Sequence, residues 1–345
     1  MKKEKIVVYG LTTEGYFLAS QMAMKGADVS IIDESSPSAV SLKAETAKTY
    51  PNLTAFQEDE PLLSVEPIDV AISNAKYLFF APRIRKTGQD LRTELTSKYK
   101  DATKALKKGS SIIYCLPTGL GGNQENIALL THVTGLDAGK TISYFYFPLN
   151  DLDETPEVIG SLDNQDDKIL SSLLSTEKKK KYVSLTSAEC IYGINIIQKF
   201  TNLSAILEIC KFVKDTESTT FNNFKTIYLD DIIKGLYDLR LLGSSFEGAN
   251  TLLYLTNASI KAIAGYIKRL IDTIRTTLKK NELKASRTKI VLSWTLDKNE
   301  MRGDKIEILN SITAKLRDYI GDVDTSEGLV NSFHSDKKLS LYPVL

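Results

Sequence analysis

The sequence predicts an α/β protein whose amino-terminal half forms a doubly wound, mainly parallel sheet. The first observation is the stretch 6–33, where a short apolar run, a turn at Gly10, an amphipathic run and a second apolar run follow one another. Both apolar runs contain β-branched residues, as parallel strands buried on two faces require. The second observation is that strand-like and helix-like segments alternate up to about residue 148. This alternation is typical of successive βαβ units in one sheet.

The stretch 6–33 has the pattern of a Rossmann dinucleotide-binding unit. In its G-x-G-x-x-G turn, free N–H groups at a helix start hold a pyrophosphate, and an acidic residue about 20 positions further on binds the ribose. Gly10, Gly15 and Asp33 occupy these places, and Thr12 replaces the middle glycine. We expect the Thr12 side chain to push the phosphates outward or to change how they bind. The alternative is a Rossmann scaffold without a ligand.

Further candidate ligand-binding residues follow later strands. Open α/β sheets bind ligands at the carboxyl ends of their strands. The predicted strand YLFFAP ends at Pro82, and Arg83, Arg85 and Lys86 after it form a candidate anion-binding cluster, with solvated loop charge as the alternative. The next strand is followed by the turn T-G-L-G-G, which begins at Thr118. We therefore add Pro82, Arg83 and Thr118 to the candidate cofactor-binding residues.

Composition limits the possible partners. The chain has 345 residues, of which 42% are hydrophobic, which is enough for two or three domains with their own cores. Its 44 basic and 43 acidic residues balance, so no global field attracts nucleic acid or an anionic membrane. No apolar run reaches the roughly 18 residues of a membrane helix, and the amino terminus does not have the pattern of a signal peptide. We expect a cytoplasmic protein.

Other candidate catalytic groups are few. His132 and His334 have no third catalytic residue nearby and are interpreted as surface residues. The acidic pairs at 166–167 and 230–231 are interpreted as helix caps and surface charges, so the sequence predicts no metal site. The cysteines lack the spacing of metal ligands or of a redox pair, and we expect them to be small buried hydrophobic residues. They are Cys115, Cys190 and Cys210.

The segment 116–148, LPTGLGGNQENIALLTHVTGLDAGKTISYFYFP, resembles part of the UDP-glucose/GDP-mannose dehydrogenase family, which includes the UDP-N-acetylmannosamine dehydrogenases. In that family a V-P-x-G-T turn, a helix and a G-L-x-x-G loop precede a strand ending in S-P-E-R. Segments 155–163, 188–210 and 290–312 resemble later parts of the family in the same order. The resemblance implies a Rossmann domain at 1–185, a central helical dimerisation domain at 186–285 and a carboxyl-terminal α/β unit at 286–345.

The family oxidises a sugar alcohol to the acid in two NAD-dependent steps through a cysteine-bound intermediate, so the resemblance implies NAD as the cofactor. The catalytic positions of the family are replaced here. The glutamate of S-P-E-R falls on Leu149, and the lysine of A-E-x-x-K falls on Tyr192. The loosest match puts Asn250 at the nucleophilic cysteine. These side chains supply neither the carboxylate, nor the cation, nor the thiolate of that reaction.

The carboxyl-terminal unit is short. Only about 55 residues follow Ile290, and we expect one strand, one helix at about 305–320 and a polar tail. One βα unit is too small for the second Rossmann-like domain with which the family clamps its nucleotide. In the preceding loop, Met301 and Arg302 keep the family's x-R, Glu300 stands for its acidic residue, and Thr295 replaces its lysine.

Two long segments, 186–214 and 251–280, carry apolar residues at helical spacing and predict amphipathic helices; the stripe of the first includes Ile191 and Ile194. Such helices bury their apolar stripe against each other or against a second subunit. In the family this region makes the dimer, so the resemblance implies a homodimer, with packing inside one chain as the alternative.

Two functions are compatible with these residues. The first is a non-catalytic descendant, a pseudoenzyme that uses its Rossmann crevice or dimer surface for binding or regulation. The second is an active NAD-dependent oxidoreductase that oxidises a nucleotide sugar or another alcohol without cysteine. Leu149 and Tyr192 favour the first, whereas Gly10, Gly15 and Asp33 keep the second open. A third, binding of another nucleotide or adenosyl cofactor, is also compatible with Asp33.

Overall fold

A computed structural model of the chain describes residues 4–86, 89–149, 158–162, 166–174, 180–212, 228–246 and 250–326. The chain divides into two compact units. Unit 1 comprises Met1–Ile194 and the short segment Asn299–Arg302, and unit 2 comprises Asn195–Lys298 and Gly303–Leu345.

Unit 1 is built on a nine-stranded sheet. Its strands are β1 (Lys5–Tyr9), β2 (Asp28–Ile32), β3 (Ser38–Leu42), β4 (Val65–Pro67), β5 (Tyr77–Phe80), β6 (Ser111–Tyr114), β7 (Ser143–Tyr146), β8 (Val158–Ser161) and β9 (Lys181–Ser184). Their order is β4-β3-β2-β1-β5-β6-β7-β8-β9. The run from β2 to β7 is parallel, and β3 and β8 extend it as antiparallel neighbours. The predicted Rossmann-type sheet is confirmed.

The helices of unit 1 connect these strands. They are α1 (Thr13–Met24), α2 (Ala44–Thr49), α3 (Leu53–Asp59), α4 (Ile68–Asn74), α5 (Gln89–Thr103), α6 (Gly122–Thr134), α7 (Lys168–Leu174) and the first part of α8 (Leu185–Ile209). The sequence predicts a helix over 38–48, but residues 38–42 form β3 instead. The expectation is wrong there because the segment S-A-V-S-L pairs with β2 and buries Ala39 and Leu42.

The core of unit 1 lies along the parallel strands. Strands β5 and β6 are buried along their whole length, as the apolar runs predict. An aromatic cluster extends the core towards α5, since the Phe80 ring lies 5.1 Å from Tyr99 and 5.3 Å from Tyr114 between ring centroids. The carboxyl ends of these strands therefore rest on tightly packed aromatic side chains.

The cysteines divide between core and surface. Cys115 is buried, as predicted, whereas Cys190 and Cys210 are exposed. The expectation is wrong for Cys190 because it shares the solvent-facing side of α8 with Ile191 and Ile194. It is wrong for Cys210 because this residue follows the end of α8 in the turn Cys210–Phe212, which buries no side chain. The apolar stripe predicted along this helix included both isoleucines, and the buried stripe instead contains Tyr192 and other residues of the opposite side.

Unit 2 contains the rest of α8 and a second set of elements. These are α9 (Leu229–Ile233), α10 (Leu236–Gly243), α11 (Asn250–Lys280), α12 (Asp304–Arg317), β10 (Lys289–Ser293) and β11 (Asp322–Ser326). Strands β10 and β11 pair in parallel. Sequence reasoning expected a polar tail where β11 lies, because D-V-D-T-S has only Val323 as an apolar residue. None of the described helices combines the length and apolar character that crossing a bilayer requires.

The acidic pairs behave as caps and surface charges. In unit 1, Asp167 accepts hydrogen bonds from the Ile169 and Leu170 amides at the start of α7. In unit 2, Asp231 accepts from the Tyr228 amide beside α9, and Asp230 pairs with Lys305 at 3.2 Å. Within the described residues, no group of three or more His, Cys, Asp and Glu side chains is arranged to hold a metal.

Candidate functional site

The packing of the turn between β1 and α1 is by itself sufficient to require both of its glycines. Gly10 has φ +127°, and a Cβ there would lie 2.0 Å from the carbonyl oxygen of Ala81. A Cβ at Gly15 would lie 2.3 Å from the Gly10 oxygen. Both distances are far below van der Waals contact, so only glycine fits. The two glycines of the fingerprint would therefore be needed whether or not a ligand binds.

Thr12 turns its side chain into the protein. It is the N-cap of α1 with extended backbone (φ −106°, ψ 164°), and it is fully buried. Its Oγ1 accepts the Gly15 amide hydrogen at 3.0 Å and lies 3.4 Å from the Ala81 oxygen, to which it donates. The Thr12 hydroxyl therefore caps the start of α1.

A short segment of unit 1 lies against the start of α1. We call this segment, Asn299–Met301, the strap. The Asn299 carbonyl oxygen accepts the Thr13 amide hydrogen at 2.9 Å, and the Met301 amide donates to Glu14 Oε2 at 2.8 Å. Met301 is fully buried. An N–H group at the helix start, of the kind that binds a pyrophosphate in a Rossmann unit, is therefore taken by the chain itself.

The predicted anion-binding cluster contacts the strap. Arg83 Nη2 donates to Asn299 Oδ1 at 3.0 Å, and Arg85 Nη2 donates to the Glu300 carbonyl oxygen at 2.8 Å. The Ile84 amide between them donates to the Met301 oxygen at 2.8 Å. Lys86 is exposed and contributes only its backbone amide, which donates to a carboxylate of α5. Arg83, Ile84 and Arg85 thus donate to neutral oxygens of the strap.

The acidic residues after β2 are also engaged. Asp33 Oδ1 accepts the Ser35 amide at 3.0 Å and the Ser35 hydroxyl at 2.7 Å, which closes the local turn. Glu34 accepts the Arg83 amide at 2.5 Å and forms an ion pair with Lys98 at 2.6 Å. Sequence reasoning missed Glu34 and Lys98. The acid directly beside Asp33 was the available signal, but its partners lie in distant segments.

The turn after β6 is closed by a carboxylate. Glu189 of α8 is 4% exposed and accepts hydrogen bonds from the Gly121 amide at 2.9 Å and the Asn123 amide at 2.9 Å. The Asn123 side-chain amide adds a bond at 2.8 Å, and the Thr118 hydroxyl donates at 3.4 Å. The positive end of the α6 dipole stabilises this negative charge. Sequence reasoning missed Glu189, although it matches the glutamate of the family's A-E-x-x-K pattern, whose lysine falls on Tyr192.

Buried tyrosines extend the hydrogen-bond network around Glu189. The Tyr144 hydroxyl donates to Asn123 Oδ1 at 2.6 Å, and the Thr118 amide donates to the Tyr146 oxygen at 3.1 Å. Burial raises the pKa of Tyr144 well above its usual value, so the hydroxyl remains a donor. Thr118, Asn123 and Glu189 therefore form a satisfied polar core.

Two of the replaced catalytic positions are buried side chains. Leu149 is 6% exposed, and its carbonyl oxygen accepts from Arg302 at 2.7 Å. Tyr192 is also buried. Asn250 begins α11, but its side chain lies outside the described residues. Burial raises the pKa of the Cys115 thiol, which keeps it protonated and unreactive.

The predicted surface histidines are described only in part. His132 is exposed on α6, as expected, and His334 lies outside the described residues. His132 is the last-turn residue of its helix, where a cation would interact favourably with the helix dipole.

Several solved structures resemble this chain in fold. A UDP-D-ManNAc dehydrogenase from Pyrococcus horikoshii superimposes with a TM-score of 0.64 at 16% identity, covering 94% of this chain and 83% of that one. A UDP-glucose dehydrogenase from Pyrobaculum islandicum gives 0.63 at 15% identity, with coverages of 94% and 82%. A UDP-N-acetyl-mannosamine dehydrogenase from Staphylococcus aureus gives 0.58 at 14% identity, with coverages of 94% and 82%.

No protein-family model and no curated protein matches the sequence. The structural similarity agrees with the resemblance seen in the sequence segments. The chain therefore has the fold of the nucleotide-sugar dehydrogenases.

Proposed function

We propose that this chain is a non-catalytic relative of the nucleotide-sugar dehydrogenases, which acts by binding or regulation rather than by oxidation. The observation that carries the proposal is the strap. Its Asn299 oxygen takes the Thr13 amide at the start of α1, where a Rossmann unit would hold a pyrophosphate.

The residues around this turn do not fit a dinucleotide in the arrangement described. A diphosphate would have to displace the strap before reaching the Thr13 amide. It would also meet the carboxylate of Glu14, which lies in the first turn of α1 and holds the Met301 amide. The negative charge of Glu14 would repel the diphosphate, and this repulsion is stronger in a partly buried site than in water.

The catalytic positions support the same proposal. Oxidation of an alcohol to an acid through a thioester requires a thiolate, and a base to activate water. Leu149 has no titratable group, and Cys115 is a buried thiol whose pKa is raised. The second candidate, an active NAD-dependent oxidoreductase, is supported by the retained Gly10, Gly15 and Asp33. That support is reduced by the packing requirement for both glycines.

The proposal includes a homodimer formed through the central helices. Large apolar residues are exposed on both, as at a surface that a partner covers. On α8 they are Ile191 at 39%, Ile194 at 61% and Ile209 at 59%; on α11 they are Tyr254 at 72% and Leu255 at 38%. Sedimentation equilibrium should give a dimer, and Ile194→Glu should yield a folded monomer. A monomeric wild type would contradict this part of the proposal.

The expectation that the chain does not bind a dinucleotide is tested by calorimetric titration of the full chain with NAD, NADH and their phosphorylated forms. We expect no measurable heat in the micromolar range from the folded wild type. Asp33→Ala serves as the control, because it removes the carboxylate that would bind a ribose. Micromolar binding that Asp33→Ala abolishes would overturn the proposal and favour the oxidoreductase.

A further inference from the structure

We infer that the strap is an autoinhibitory contact, which closes an anion-binding turn that is otherwise complete. A ligand carrying a diphosphate would reach the start of α1 only after the strap leaves it. This inference rests on the proposed function, since it supplies the physical reason why the resting protein does not bind dinucleotides.

The strap presents oxygen atoms where a diphosphate would present its own. Successive carbonyl groups of Asn299, Glu300 and Met301 accept hydrogen bonds from the Thr13 amide, Arg85 and the Ile84 amide respectively. Backbone amides at a helix start and guanidinium groups are also the donors that bind phosphate oxygens. The donor set of an anion site is therefore assembled, and the chain's own backbone occupies it.

The charge of Arg83 is compensated only weakly by the strap. Its guanidinium donates to the Leu11 carbonyl at 3.2 Å and to Asn299 Oδ1 at 3.0 Å, both neutral oxygens. Its Nε is buried and has no hydrogen-bond partner among the described residues. A phosphate adds an opposite charge and two parallel acceptor oxygens to a guanidinium, which neutral carbonyl and amide oxygens do not supply. An anion would thus gain more from Arg83 than the strap does.

Carboxylates near the turn act against such an anion. Glu14 accepts the Met301 amide, so it holds the strap and repels a diphosphate at the same time. Glu34 accepts the Arg83 backbone amide and pairs with Lys98 at 2.6 Å, but Lys98 also pairs with Glu94 at 3.1 Å, so one negative charge of this group is left uncompensated. The closed state is therefore favoured by Glu14 and the strap anchors together.

Side chains anchor the strap without belonging to the donor set. The Asn299 side chain bridges two partners, accepting from Arg83 and donating to Gln57 Oε1 at 2.7 Å. Met301 is fully buried within unit 1. Both anchors can be shortened while the Thr13 amide and both arginines stay unchanged. The strap can thus be weakened separately from the anion site.

The test compares the wild type with the double variant Asn299→Ala/Met301→Ser, with inorganic pyrophosphate as the calorimetric probe at low salt. We expect the double variant to bind pyrophosphate at least about tenfold more tightly than the wild type, which corresponds to about 1.4 kcal/mol. Adding Arg83→Gln to the double variant should abolish the gain. A gain that persists with Arg83→Gln would place the anion elsewhere and overturn the inference.

The single variant Asn299→Ala keeps the test decisive if the double variant does not fold. It removes the bridge but keeps buried Met301, and we expect about threefold tighter pyrophosphate binding. Folded variants that bind no better than the wild type would overturn the inference and leave the proposed function intact. Micromolar NAD binding by the wild type would overturn the proposed function together with the inference, so failure of the inference alone and failure of the proposed function give different results.

Discussion

The starts of α1 and α6 lie at the carboxyl edge of the same sheet, and the chain fills them in different ways. At α6 the group is the Glu189 carboxylate, which is 4% exposed and bonded to the Gly121 and Asn123 amides. At α1 the group is the uncharged Asn299 backbone carbonyl, which accepts the Thr13 amide hydrogen. A buried charge with several donors becomes part of the core. A strap that contacts the turn through uncharged backbone carbonyls and side-chain anchors is a closure that can be released at small cost.

The largest expected effect concerns the α6 start. Glu189→Ala should lower the free energy of unfolding by about 3 kcal/mol, because it leaves the buried Asn123 donors without a charged acceptor. Chemical denaturation measures this loss. Glu189→Gln keeps one acceptor oxygen and should lose less. A loss below about 1 kcal/mol for Glu189→Ala would show that Glu189 stabilises the start of α6 no more than the strap stabilises the start of α1.

Paired tyrosine variants sharpen the same comparison. Tyr144→Phe removes the donor to Asn123 Oδ1 and should cost about 1–2 kcal/mol. Tyr99→Phe removes a buried hydroxyl that has no hydrogen-bond partner among the described residues, so it should be neutral or slightly stabilising. Thermal unfolding of both variants under one condition gives the difference. Equal losses would show that the hydrogen bond from Tyr144 to Asn123 adds no stability beyond that of an unpaired buried hydroxyl.

The strap should contribute less to stability than Glu189. Asn299→Ala removes the side-chain hydrogen bonds to Arg83 and Gln57 in a partly exposed position and should cost about 1 kcal/mol. Chemical denaturation of Asn299→Ala and Glu189→Ala under the same conditions shows which variant loses more free energy of unfolding. An equal or larger loss at Asn299 would make the strap a structural element and not a releasable closure.

The smallest expected effect on ligand binding concerns the missing glycine of the fingerprint. Thr12→Gly restores G-x-G-x-x-G and should lower the free energy of unfolding by about 1 kcal/mol, because the fully buried hydroxyl that accepts the Gly15 amide is lost. We expect no gain in NAD binding, because the strap still covers the Thr13 amide. Calorimetry on this variant measures the effect. Micromolar binding by Thr12→Gly would mean that the threonine, and not the strap, closes the turn.

Local patterns predicted much of the fold. The β1–α1–β2 unit was predictable because its buried strands are continuous apolar runs and its helix begins at a glycine-rich turn. Strand β3 was predicted as helix because its pairing with β2 is not encoded in local periodicity. Strand β11 was missed because a single apolar residue, Val323, carries its burial.

The site was predictable only where a motif is local. Gly10, Thr12 and Gly15 lie close together in the sequence, so their turn could be recognised. The partners that fill the helix starts are distant, with Met301 287 positions from Glu14 and Glu189 66 positions from Asn123. No single-sequence pattern links residues at such separations. The resemblance placed Met301 and Arg302 in a family loop, but not the strap on the turn.

Site-resolved hydrogen exchange at the Thr13 amide tests the strap most directly. An amide in the first turn of a helix has no partner within the helix and exchanges rapidly unless another group accepts its hydrogen. We predict that the Thr13 amide is protected at least about tenfold in the wild type. In Asn299→Ala this protection should fall, while the Asn123 amide bound to Glu189 keeps its own. A Thr13 amide that exchanges at the unprotected rate in the folded wild type would contradict the closure of the turn by the strap.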